Sequence, residues 1–172
     1  MGVACSQSRG QAAVAGGQSA DALVASRADT TADATIDCKK VYSPADAAGL
    51  LMPPVTVEPV PGSVAWCAFG NDFSGDITVS VGSDESVEVM WNDATLSSNR
   101  VKFAPLAGVG DKAVFKAGTN PELASKKGRV YCIVAYDRGT SDHYKTFKSV
   151  GTAEVAKKLG ILCTKAFAAV GA

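Results

Sequence analysis

Arg129-Val130-Tyr131-Cys132-Ile133-Val134-Ala135-Tyr136 is the most strand-like stretch of the chain, and its reading decides the fold. Val130, Tyr131, Ile133, Val134 and Tyr136 are β-branched or aromatic, and no polar residue interrupts them as it would in a strand wet on one face. Such continuity predicts a strand buried on both faces, in a sheet covered from each side. Lys127-Gly128 is the turn that delivers the chain into it.

Covering elements can be found on either side of this strand in the sequence. Residues 152–168 read as a helix in which Val155, Leu159, Leu162, Cys163 and Ala166 share one face, so that Cys163 turns inward toward the sheet holding Cys132. Residues 86–96 fit two periods: Val87, Met90, Trp91 and Ala94 make a helical stripe, and Val87, Val89 and Trp91 a strand. The acids Asp84, Glu85 and Glu88 suit a helix N-terminus and decide for a helix beginning near Asp84. Earlier in the chain, Ser43-Pro44-Ala45-Asp46 predicts a helix with Ser43 as N-cap and Pro44 at its first position, running through Leu50 and Leu51 until Pro53-Pro54 stops it. Pro59 and Pro61 confine residues 55–62 to a loop or an edge. Trp66-Cys67 and the alternating Ile77, Val79 and Val81, joined through Asn71-Asp72 and Gly75-Asp76, predict a hairpin. Elements of both kinds in one short body give the fold class α+β.

A chain of 172 residues with 47% hydrophobic side chains is sized for one core. Seventeen basic and 17 acidic side chains leave no net charge to draw the chain onto phosphate backbones, so nucleic acid is not an expected partner. The longest apolar runs, such as Val130 to Ala135, fall far short of the roughly 20 residues that cross a bilayer. Residues 6–35 carry no aromatics and are dominated by Ala, Gly, Ser, Gln, Thr and Asp; they cannot bury enough apolar surface to offset their ordering entropy. The expected organisation is a lipid-attachment site and disordered tether over residues 1–36, then one domain over residues 37–172.

Five cysteines are an odd number. Cys38, Cys67, Cys132 and Cys163 lie in the body, with no C-x-x-C pair and with His143 far from all of them, so neither a metal nor a cofactor is expected. Four separated cysteines in a small domain suggest two disulfides and an oxidising space. Sequence allows three connectivities; Cys38 with Cys67 and Cys132 with Cys163 is preferred, each closing a loop of about 30 residues. The remainder, Cys5, follows Met1-Gly2-Val3-Ala4. Val3-Ala4-Cys5 reads as the stub of a bacterial lipobox whose signal peptide has been removed, although Gly2 stands where leucine is usual. Met1-Gly2 with Ser6 instead fits N-myristoylation, with palmitate on Cys5 as second anchor. Disulfides belong outside the cytosol and favour the first reading. Cys5 is thus expected to anchor the chain to a membrane, in the periplasm or on the cell surface.

The order Cys38, helix, Trp66-Cys67, strand, Gly108-Val109-Gly110-Asp111-Lys112-Ala113, a strand after Lys127-Gly128 and a closing helix resembles uncharacterised bacterial lipoproteins with a PsbP-like domain, over roughly residues 38–167. The resemblance implies an antiparallel sheet flanked by helices, an extracytoplasmic address, and a binding or scaffolding role without catalysis. It carries no active-site residues.

Direct motifs add little chemistry. Gly108-x-Gly110-Asp111 leads into a strand rather than a helix and reads as a tight turn with Asp111 capping backbone groups, not as a phosphate cradle. With one histidine and no nucleophile elbow, a hydrolytic triad would depend wholly on His143. Asn71, Asp72 and Asp76 lack the ordered ligand spacing of a calcium loop and are explained by the hairpin turn. The loop after Tyr136 offers a recognition surface of Arg138, His143, Tyr144 and Lys145, weighed against a plain solvated connection. The expected function is non-catalytic binding of a protein or envelope component. Two alternatives stand beside it: a carrier of an apolar or lipidic ligand walled by Trp66, Trp91 and Phe115, and an inhibitor or immunity-type protein that blocks a hydrolase.

Overall fold

The computed structural model describes residues 35–63, 65–71, 75–83, 85–96, 103–138 and 150–172. Its strands are β1 (Thr56–Pro59), β2 (Trp66–Asn71), β3 (Gly75–Gly82), β4 (Phe103–Leu106), β5 (Lys112–Lys116), β6 (Glu122–Lys127) and β7 (Val130–Asp137). Its α-helices are α1 (Cys38–Val41), α2 (Glu85–Leu96) and α3 (Thr152–Ala169). The strands form one antiparallel sheet in the order β1-β2-β3-β7-β6-β5-β4. Two meanders, β1 to β3 and β4 to β7, are joined where β7 pairs with β3, with Val79 opposite Val134 and Val81 opposite Cys132.

β7 is buried on both faces, as its composition requires. Cys132, Val134 and Tyr136 enter a core shared with Val155, Leu159, Leu162, Cys163 and Ala166 of α3. Tyr131 and Ile133 point the other way, into a smaller cluster with Val87, Trp91 and Ala94 of α2. The helical reading of residues 86–96 holds: Val87, Trp91 and Ala94 are buried and Val89 is exposed, the pattern of a helix face rather than of strand alternation. Asp84 lies outside the described residues.

Both sheet edges are short and carry proline, Pro59 in β1 and Pro105 in β4. Proline offers no N–H to an added strand, so the edges are blunted against pairing with another chain.

The predicted helix from Pro44 to Leu51 is replaced by a single 3-10 turn over Pro44–Ala47. Ser43 caps it as expected, its backbone N–H and its hydroxyl both donating to the Asp46 carboxylate at 2.9 and 3.2 Å. The chain then leaves helical conformation at Ala48, and Gly49 takes φ +78°. That break lets Leu50 and Leu51, adjacent in sequence, both enter the core, where a continuing helix would have splayed them apart. Tyr136 fixes the turn by donating its hydroxyl to the Leu50 carbonyl at 2.5 Å, and Lys165 of α3 clips Asp46 at 2.6 Å. Burial pushes the Asp46 carboxyl up, but hydrogen bonds from Lys165 and Ser43 outweigh it and hold the group below its ordinary value.

Two buried phenols brace the α3 side of the sheet. Tyr42 donates to the Leu162 carbonyl at 3.2 Å and meets Phe69 edge-on, with ring centroids 5.3 Å apart. Burial raises the Tyr42 hydroxyl well above its ordinary value, with the Asp46 carboxylate adding to the effect. Burial likewise pushes Tyr136 up to about 12, against an opposing pull from Arg138. A phenol with a raised folded-state pKa stabilises the fold fully below its unfolded pKa of about 10, and that contribution disappears as pH rises through the folded value. The urea midpoint should therefore hold steady up to about pH 10 and fall between about pH 10 and 12. Tyr136→Phe should start from a lower midpoint at neutral pH and show a shallower alkaline fall. An equal alkaline slope in wild type and variant would contradict this assignment.

Candidate functional site

The four body cysteines meet in pairs. Cys38 of α1 is bonded to Cys67 of β2, with Cα atoms 5.5 Å apart; Cys132 of β7 is bonded to Cys163 of α3, with Cα atoms 5.7 Å apart. All four are buried. The second bond ties the central strand to the helix covering it. Disulfides of this kind persist where thiols are not kept reduced, which places the folded body in an oxidising, extracytoplasmic space. No helix among the described residues is long and apolar enough to cross a membrane.

Of the proposed recognition loop, Arg138 is described. It is half-buried just beyond β7, its guanidinium 5.3 Å from the centroid of the Tyr136 ring. Its Nε is shielded from solvent with no hydrogen-bond partner among the described residues. His143, Tyr144 and Lys145 lie outside the described residues, as do Cys5 and residues 1–34 of the proposed tether; Ile36, at its end, is buried in the core. At the same end of the sheet Asp76 stands opposite Asp137. Burial, then the Asp137 charge, raises the Asp76 carboxyl above its ordinary value.

Trp66, Trp91 and Phe115 do not line one cavity. Phe115 belongs to the core on the α3 side, against which Trp66 packs half-buried, whereas Trp91 lies in the cluster under α2 on the opposite face of the sheet.

The Gly108-Val109-Gly110-Asp111 turn is built as a plug between sheet and helix. Val109 is buried against Gly160 of α3 so closely that a Cβ on that glycine would stand 2.7 Å from Val109 Cγ2. Ser125, fully buried on β6, donates its hydroxyl to the Val109 carbonyl at 2.9 Å. Asp111 donates its backbone N–H to Lys126 O at 2.8 Å and accepts the Gly128 N–H on its carboxylate at 2.7 Å. The Asp111 N–H is thus spent on β6, and its carboxylate, facing the β6–β7 turn, sets a negative charge where an anion would have to sit. The capping role expected of Asp111 is what the geometry shows.

Alongside this plug runs an open trough, formed by two adjoining hollows of about 260 and 310 Å³ that share Gly108 and Thr164. One wall is the loop from Leu106 to Asp111; the other is the outer flank of α3 from Ala153 to Ala168. Ile161 stands in it 44% exposed. Among the described residues it and Val89 are the large hydrophobics most open to solvent. Sequence reasoning missed the trough, though a signal was present: Ile161 falls off the Val155, Leu159, Leu162, Ala166 stripe and is an apolar residue where a solvated helix face would carry a polar one.

No family model matches this chain, and neither a curated protein nor a solved structure does.

Proposed function

We propose that this chain is a lipid-anchored domain of the bacterial cell envelope, held to the membrane through Cys5, that binds a protein or envelope component without catalysis. One observation carries the reading: Cys38–Cys67 and Cys132–Cys163 consume the body cysteines in pairs, so Cys5 has no partner left within the chain. In an oxidising space an unpaired thiol is a liability, and acylation on sulfur, as the Val3-Ala4-Cys5 stub suggests, removes it. Residues 6–35 carry no aromatics and are mostly small or polar, the composition expected of a tether between an anchor and a folded body. The resemblance read from the cysteine order and the Gly108–Ala113 turn implies the same address. Blunted edges, a sheet covered on both faces and two internal bonds make the body a rigid platform, suited to presenting a surface.

The test is fractionation of the protein expressed in its own host. Wild type is expected to sediment with membranes and enter the detergent-rich phase on phase separation, and Cys5→Ser to move to the soluble fraction with an unchanged melting temperature. Equal partitioning of the two proteins would remove the anchor from the account.

A further inference from the structure

We propose that Lys112 and Lys126 form a seat for a phosphoryl dianion on the α2 face of the sheet. The two lysines stand directly opposite each other on β5 and β6, where paired side chains leave the backbone about 5 Å apart. They share that face with Val114 and Ala124, each two residues away along its strand and packed toward α2. Like charges so placed destabilise a strand pair, whereas opposite charges support it. The far end of the same two strands follows the rule: Lys116 stands opposite Glu122 and is joined to it by a salt bridge at 2.5 Å. Neither Lys112 nor Lys126 has a carboxylate partner among the described residues. Of the acids adjoining the pair, Glu88 accepts the Tyr131 hydroxyl at 2.9 Å and Asp111 accepts the Gly128 N–H. Lys127 alternates to the other face and donates to the Ala172 carbonyl at 2.6 Å, so it adds nothing to the pair.

Aromatic rings hold the two ammonium groups in place. Lys126 Nζ lies 4.9 Å from the centroid of Tyr131 and Lys112 Nζ 6.0 Å from that of Trp91, and the two rings, both buried, are 6.1 Å apart. Fixed rings of this kind give each cation a favoured resting position. Lys112 is nonetheless exposed and Lys126 half-buried, so both can be reached from solvent. Two adjacent cations without a bonded counter-charge match a group that carries nearly two negative charges on neighbouring oxygens, as a phosphomonoester does at neutral pH. A carboxylate brings only one. Lysine also binds phosphate as a point charge, without the planar fork by which arginine pairs a carboxylate. The same chemistry is presented by a free phosphate ester and by a phosphomonoester lipid headgroup. The seat does not depend on the anchor at Cys5.

The test uses the full chain carrying Cys5→Ser, so that its outcome is independent of acylation. Inorganic phosphate, exchanged for chloride at constant ionic strength, is followed by NMR shifts of Lys112, Lys126 and their neighbours. Vesicles of phosphatidylcholine with about 20% phosphatidic acid are followed by co-sedimentation. Phosphate should bind saturably with a dissociation constant of about 1–10 mM, raised about five-fold or more in Lys112→Gln and in Lys126→Gln. Lys157→Gln, which removes a single exposed cation from α3, should leave it unchanged. Retention on the vesicles that is lost in the same two variants would assign the seat to a lipid headgroup; phosphate binding without retention would assign it to a free phosphate ester. Lys112→Glu, which recreates the pairing of Lys116 with Glu122, should abolish phosphate binding and raise the melting temperature by about 2 °C. No saturable binding of either probe would overturn the proposal. So would binding indifferent to both glutamine variants, which is an adventitious ion only, or a Lys112→Glu variant that melts below wild type.

Discussion

Replacing Cys132 and Cys163 together by alanine is expected to lower the free energy of unfolding by about 3 kcal/mol, within the 2–5 kcal/mol typical of native bonds in small secreted domains. The bond spans 31 residues and joins the middle of the central strand to the middle of the helix covering it. Without it the unfolded chain regains the freedom of that loop, and α3 is held by the burial of Val155, Leu159, Leu162, Ala166 and Phe167 together with the Lys165–Asp46 and Tyr42–Leu162 contacts. Both sulfurs are fully buried, so replacement also leaves small voids that add to the loss. Urea unfolding followed by circular dichroism measures the effect as a lower midpoint. Because the cross-link restrains the unfolded state, some rise in slope would accompany its removal without altering the sign. A midpoint within error of wild type would mean that the bond adds nothing to a core already sufficient. Removing Cys38–Cys67, which closes a loop of similar separation at 29 residues, should cost a comparable amount by loop entropy but release only short α1 from β2.

Gly110→Ala is expected to be comparably damaging, at about 2–5 kcal/mol. Two costs combine there. Gly110 holds φ +60°, a left-handed conformation that penalises a side chain by roughly 1–2 kcal/mol. A Cβ would also stand 2.5 Å from Lys126 O and 2.8 Å from Ser125 Oγ. The first is backbone in a paired strand and cannot step aside, so relief requires moving the turn, at the roughly 1–3 kcal/mol that overpacking costs. Gly108→Ala, two residues earlier, is the internal control: φ is +83° but nothing lies within 4 Å of the added carbon, so only the conformational cost remains. Thermal melts of the two variants should therefore separate by several degrees, with Gly110→Ala the lower. Equal melting temperatures would show that the turn yields freely and that Val109 is not held as a plug.

The sheet's centre was legible in the sequence because β7 states its environment residue by residue. Its unbroken apolar run required two covering elements, and the stripes on residues 86–96 and 152–168 supplied them. The Cys132–Cys163 pairing followed the same logic, since an inward Cys163 on the last helix has to face the strand it covers. Short elements were not legible. α1 and β4 have four residues each, too few to show a period; α1 is capped by Asp37, which accepts the Lys40 N–H at 3.3 Å, and β4 exists through its pairing with β5. Residues 44–51 misled because local propensity favoured a helix while the core demanded both Leu50 and Leu51. The trough escaped because it is made by the distance between a loop and a helix far apart in sequence; Ile161 hinted at an unsolvated spot without indicating what lies beside it.

The anchor and the compartment together make the central claim, and intact-mass analysis of the full-length protein isolated from its own host without reduction tests both at once. The account predicts one diacylglyceryl-modified cysteine, mapped by fragmentation to Cys5, and a mass four hydrogens below that of the reduced body, with peptides linking Cys38 to Cys67 and Cys132 to Cys163. A bare thiol at Cys5 together with four reduced cysteines in the body would contradict it.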